Sequence, residues 1–121
     1  MHRSKLAGFV IDCQDGDMPV AAAFWSAALG RAARTTDGNY TPLKRRRGEP
    51  YAVLQRVDHP SRVHLDIEAD DVEAEVCRLE ALGARHVRQV ESWWIMEAPT
   101  GHHFCVVRST IVSLGEDAHA W

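Results

Sequence analysis

No run in the sequence approaches the roughly 18 apolar residues that a membrane-spanning helix needs, so no membrane partner is expected. The first apolar stretch, Leu6 to Ile11, has neither the length nor the cleavage pattern of a secretory signal. Cysteine is scarce as well. Cys13, Cys77 and Cys105 are odd in number and lack CxxC spacing, which argues against a disulfide framework or a zinc knuckle and predicts reduced thiols in a cytoplasmic protein. Charge of one sign is not in excess: 14 Lys and Arg stand against 17 Asp and Glu, a formal net charge of −3, so no global field draws in nucleic acid. The one basic run, Lys44-Arg45-Arg46-Arg47, reads as a solvated turn able to contact anions. A GxSxG elbow, a glycine-rich phosphate loop and an HExxH pair are all missing, which removes local support for serine-hydrolase, nucleotide and zincin chemistry.

What is present is a chain of 121 residues, 45% hydrophobic, long enough for one core and too short for two independent domains. A single domain over residues 1–121 is expected. Lys5 to Asp12 is a β-prone run that ends in the turn-rich Cys13-Gln14-Asp15-Gly16-Asp17. Met18 to Leu29 then reads as a helix, with Asp17 as N-cap, Gly30 as its C-terminal stop, and Val20, Ala23, Phe24, Ala27 and Ala28 on one apolar face. Strands are predicted around Arg34, over Asn39 to Leu43 and over Tyr51 to Val57. The same grammar restarts at Arg62. Residues Arg62 to Ala69 alternate strictly, with Val63, Leu65, Ile67 and Ala69 on one face and His64, Asp66 and Glu68 on the other. Asp70-Asp71 cap a helix from Val72 to Leu82, with Val72, Val76, Leu79 and Leu82 on its apolar face; strands follow over Arg85–Val90, Ser92–Glu97 and His103–Arg108.

The chain is thus strand, helix and three strands written twice, module one over about 5–57 and module two over about 62–108, with a tail over 109–121. Neither copy can close its own sheet edge, so the fold class expected is α+β: two tandem βαβββ modules pairing into a curved, cup-like mixed sheet with helices on the outer face. The concave side of that cup is the natural site.

The family signal lies in Ile11-Asp12-Cys13-Gln14-Asp15, Ala23-Phe24-Trp25 and Leu29-Gly30 of module one, and in Val63-His64-Leu65-Asp66, Asp70-Asp71-Val72, Leu82-Gly83-Ala84 and the closing run from Ala98 to Val107 of module two. In order and spacing these segments resemble the glyoxalase-like, or vicinal oxygen chelate, superfamily, and most of all its small bacterial members. The resemblance covers nearly all of residues 5 to 108. It implies a divalent metal held by His, Glu or Gln side chains at four places, which here are Gly8, a position near Leu54 or Gln55, His64 and Cys105. Gly8 has no donor and Cys105 replaces a carboxylate, so this set suits magnesium, manganese or calcium poorly. Zinc or ferrous iron, with His64, Cys105 and a third group, stays open, but no cofactor is favoured. The resemblance also implies a homodimer.

On such a fold the His64 ring points into the cup, and it is the first candidate for a base, acid or hydrogen-bonding group to a ligand, against a plain half-buried strand histidine. Tyr51 and Gln55 share a strand face and supply a ring and an amide if that face is the inner one. Trp93 and Trp94 are consecutive, so one of them faces inward; Trp94 is the candidate carried forward. His103 is expected at the rim and His102 in solvent, while Cys105 as a nucleophile would need His64 as its base. Asp12, Asp66 and Glu68 form a carboxylate row, of which one or more is expected to sit in water at the rim. The function expected is the binding of a small organic ligand in the cup. The alternative is a lyase, isomerase or dioxygenase using His64, with or without a divalent metal.

Overall fold

A computed structural model describes residues 1–109 and 114–121. In chain order the elements are β1 (Arg3–Gln14), α1 (Met18–Leu29), β2 (Tyr40–Leu43), β3 (Tyr51–Val57), β4 (Arg62–Ala69), α2 (Val72–Ala81), β5 (Arg85–Val90), β6 (Trp93–Glu97), β7 (His103–Arg108) and β8 (His119–Ala120). The fold is α+β, with a mixed sheet hydrogen-bonded in the order β2-β3-β1-β4-β7-β6-β5 and β8 paired to β1. The chain divides into two compact units, Gly8–His64 and Met1–Ala7 with Leu65–Trp121. Among the described residues no helix is long and apolar enough to cross a membrane, and no disulfide links the three cysteines.

In the unit Gly8–His64, β1 runs parallel to β3 and β2 antiparallel to it. The Asp17 side chain accepts from the Val20 N–H and caps α1. Gly30, at φ 67°, supplies the left-handed residue that ends it, with its N–H and that of Arg31 both on the Ser26 carbonyl. The strand expected near Arg34 is reduced to a single bridge between Ala33 and Leu43. Arg34 donates its N–H to the Pro42 carbonyl, but Pro42 has no N–H to return, and the ladder stops there.

The face of α1 turned to the sheet also differs from the expectation. Met18, Ala21, Ala22 and Trp25 pack on Ile11, Cys13, Leu43, Ala52 and Leu54, while Val20, Ala23, Phe24, Ala27 and Ala28 face outward. A helix that is apolar nearly all round has no single stripe for spacing to identify.

In the other unit β4 runs parallel to β7, and β6 pairs antiparallel with β7 and β5. Asp71 caps α2 by accepting from the Ala74 N–H. Val72, Val76 and Leu79 of α2 pack on Ala69, Met96 and Val106, whereas Leu82 lies outside this core. Strand β4 inverts the usual sense of its alternation: Val63 is 56% and Leu65 44% exposed, while Asp66 is 8% exposed. Alternation tells which residues share a face, not which face is covered, and only Ala69 of that apolar set is a buried member of the core beneath α2.

The tail folds back on its own unit. Strand β8 pairs with Arg3 and Ser4, and the Trp121 indole donates to Ser4 Oγ at 2.8 Å and stacks under the Arg78 guanidinium at 3.5 Å. The Trp121 indole thus docks on its own chain; residues 110–113 of the tail fall outside the described residues. Beneath it lies Glu75, fully buried, which accepts two 2.8 Å bonds from Arg78, one of 2.8 Å from Ser4, and holds His2 Nε2 at 2.7 Å. Burial pushes the Glu75 carboxyl up, but the bonds from Arg78, His2 and Ser4 and the Arg78 charge override it and hold the group at about 2, below its ordinary 4.5.

Candidate functional site

The parallel register of β1 and β3 sets Gly8 beside Tyr51, Val10 beside Val53 and Asp12 beside Gln55. Because Ile11, Cys13, Ala52 and Leu54 of the same strands lie under α1, these six residues occupy the opposite sheet face. Tyr40 of β2 is paired with Gln55 and shares that face; the Gln55 amide donates to the Tyr40 hydroxyl at 3.2 Å. Of Leu54 and Gln55, Leu54 is core beneath α1 and Gln55 lies on the opposite face.

The polar centre of this face is Asp12. Its Oδ2 lies 2.9 Å from His64 Nδ1, 3.7 Å from His59 Nε2 and 3.8 Å from Arg62 Nε. Its carboxylate is 2% exposed, and Oδ1 is buried without a hydrogen-bond partner among the described residues. Asp12 is therefore not in water at a rim. Taking a carboxylate out of water is costly and is offset here by three basic side chains within 4 Å. The neighbouring Cys13 thiol, on the other face, is pushed up by burial and then by the Asp12 charge.

His64 is 13% exposed at its side chain. A carboxylate only accepts, so Asp12 at Nδ1 favours the neutral tautomer with its proton on Nδ1. The strand alternation of β4 identifies His64, but not Asp12 as its partner. That pairing depends on how β1 and β4 sit side by side, which spacing along one strand does not encode. His59, in the turn before β4, carries no signal in the sequence beyond its residue type.

Gly8 is one of the four positions at which the sequence resemblance implies a metal ligand. A Cβ built on it would lie 2.4 Å from the Tyr51 ring and carbonyl, so the backbones approach too closely there for any side chain. With Gly8 unable to donate, Gln55 offering an amide on Tyr40, and His64 Nδ1 committed to Asp12, the donors of this unit do not fit a hard cation.

In the other unit, Asp66 lies beside Cys105 in the β4–β7 register, on the face away from α2. Glu68 sits 3.8 Å from Lys5 Nζ. His103 holds Glu97 Oε1 at 3.2 Å through Nε2, and Arg85 donates to Glu97 Oε2 at 2.8 Å, so His103 belongs to a hairpin ion-pair group. His102 contacts the Thr100 hydroxyl at 2.7 Å in exposed surroundings. Trp94 requires a correction. It packs against the core beneath α2 with Met96 and Val106 and meets His86 edge-on at 5.4 Å, so the aromatic residue of β6 on the opposite face is Trp93.

Residues 8–107 match the family model described as "Glyoxalase-like domain". No curated protein is similar in sequence. Among solved structures, methylmalonyl-CoA epimerase from Streptomyces coelicolor superposes with a TM-score of 0.66 at 17% identity, covering 88% of this chain and 97% of that one. The Mn(II)-bound glyoxalase from Novosphingobium aromaticivorans gives 0.65 at 19% identity, over 89% of this chain and 40% of that one. Homoprotocatechuate 2,3-dioxygenase from B. fuscum gives 0.62 at 20%, over 89% and 33%. At these identities the structures share the fold, while the family match spans most of the sequence. The chain belongs to the glyoxalase-like domain family of the vicinal oxygen chelate superfamily.

Proposed function

We propose that the chain binds a small organic molecule on the sheet face that carries Asp12, Tyr51, Gln55 and His64, with His64 Nε2 as the acceptor for an O–H or N–H of the ligand. The observation that carries this reading is the buried Asp12–His64 pair at 2.9 Å. It lies on the face that α1 does not cover and is kept despite the cost of burying a carboxylate with one oxygen unpartnered. Tyr51 and the Tyr40–Gln55 pair supply aromatic surface and an oriented amide beside it. His103, Cys105 and Trp93 lie in the other unit and take no part in this proposal.

A second reading rests on the same pair. A carboxylate on Nδ1 stabilises the imidazolium that forms when Nε2 removes a proton, so Asp12 and His64 form a general base suited to proton abstraction from a carbon acid. In either reading the work falls to protein side chains, and no step is routed through a metal. We also infer a homodimer, which would cover the outward apolar face of α1 bearing Val20 and Phe24.

The test is a thermal-shift and tryptophan-fluorescence screen of phenols, catechols and acyl-CoA thioesters against the wild type, His64→Gln and Asp12→Asn. At least one compound is expected to bind the wild type and to lose about tenfold or more in affinity with either variant, the cost of one charge-assisted hydrogen bond. A flat panel, or binding indifferent to both substitutions, would overturn the proposal. Turnover of a bound compound that disappears in His64→Gln would select the second reading.

A further inference from the structure

Six of the 14 Lys and Arg, but only two of the 17 Asp and Glu, fall between residues 31 and 50, so this segment is strongly positive in an otherwise acidic chain. A cleft of about 320 Å³ between the end of α1 and the turn after β2 is lined by Gly30, Arg31, Ala32, Lys44, Arg45 and Arg46. Arg31 is fixed there, with Nη1 donating to the Pro50 carbonyl at 3.0 Å and Nη2 paired to Glu49 at 3.1 Å. Glu49 therefore answers Arg31 alone, and among the described residues no carboxylate pairs with Lys44, Arg45 or Arg46. The Arg46 side chain is exposed, and its guanidinium sits over Gly30 at the cleft, 3.9 Å from where a Cβ would stand.

Helix capping does not account for this arrangement. The end of α1 is already closed by the Gly30 and Arg31 N–H groups on the Ser26 carbonyl, and the Lys44 N–H is spent on the Ala32 carbonyl. Three unpaired cations on one concavity repel each other unless an anion shares them. Two forked guanidiniums and an ammonium suit a multiply charged phosphate. The net charge of −3 disfavours a long polyanion, whose other phosphates would face acidic surface.

We propose that this cleft is a binding site for the phosphate end of a small molecule, a pyrophosphate or a phosphate ester, held by Lys44, Arg45 and Arg46. It is independent of the Asp12–His64 face.

The test uses the full chain and isothermal titration calorimetry with inorganic pyrophosphate and with ADP, at low and raised salt. Binding of pyrophosphate is expected, weakened about tenfold by Arg46→Ala and further by Lys44→Ala/Arg46→Ala, and weakened by salt. ADP at about the pyrophosphate affinity would assign recognition to the phosphates alone; ADP at least tenfold tighter would show that the organic body also binds. Both support the site. Arg47→Ala removes a charge from the same run without touching the cleft lining and is expected to retain binding. Equal loss in Arg47→Ala and Arg46→Ala would mean a diffuse field and would overturn the proposal. So would the absence of binding by both probes, or binding confined to phosphatidylglycerol vesicles or a single-stranded oligonucleotide.

Discussion

Protonating Glu75 should loosen the attachment of the tail, and the size of the effect follows from the geometry around it. The folded protein holds this carboxyl at about 2 against an ordinary 4.5, so its ionised form is favoured by folding. Above pH 4.5 both folded and unfolded chains carry the charge and the contribution is complete; as pH falls from there toward 2 the unfolded chain takes up the proton first and the contribution is lost. The difference corresponds to about 3 kcal/mol at neutral pH. Glu97 and Asp117 are lowered too, by hydrogen bonds from Arg85 and Lys5, but both are surface groups whose effect salt screens. Urea denaturation followed by tryptophan fluorescence between pH 7 and 3, at raised salt, should therefore show a fall in stability in the wild type. The fall should shrink by up to one proton's worth of slope in Glu75→Gln. That variant should also be about 3 kcal/mol or more less stable at pH 7, because Arg78 is left without its bidentate partner. If the pH profiles of Glu75→Gln and the wild type differ only by a constant offset, the assignment of the buried charge is wrong.

Gly8→Ala should destabilise by about 2 kcal/mol or more in the same denaturation assay, since its Cβ would meet the Tyr51 ring and carbonyl at 2.4 Å and backbone must move. Under limiting iodoacetamide, peptide mapping should find Cys77 alkylated before Cys13, because Cys77 is exposed while burial and the Asp12 charge hold the Cys13 thiol up. Protein purified without chelators should contain less than about a tenth of an equivalent of zinc, iron or manganese by plasma emission, because Gly8 offers no donor and His64 Nδ1 is held by Asp12; one equivalent would contradict a site built from protein groups alone.

Much of the fold was legible because it is written in local signals. Asp17 and Asp71 mark helix starts by the chemistry of the N-cap, and both helices and most strands appear within a residue or two of where turns and alternation put them. What failed depends on information outside the segment. The faces of α1 could not be ranked when nearly every residue in MPVAAAFWSAAL is apolar, and alternation along β4 could not tell that Val63 and Leu65 are left exposed. Trp93 and Trp94 could not be told apart until Met96 and Val106 showed which side of β6 lies under α2. At the site, His64 was readable from alternation, while Asp12 was visible only as one carboxylate in a row. Its burial against His64, His59 and Arg62 arises from neighbouring strands and the turn before β4.

The central claim is that Asp12 holds His64 with its proton on Nδ1 and so presents Nε2 to a ligand. Long-range proton–nitrogen NMR of the histidine rings reads this directly at neutral pH. The account predicts that the neutral His64 ring is the Nδ1-protonated tautomer, that Asp12→Asn abolishes this preference, and that the Nε2 signal moves on addition of a compound that binds. A His64 ring protonated on Nε2 in the wild type, or an Nε2 signal unmoved by such a compound, would contradict it.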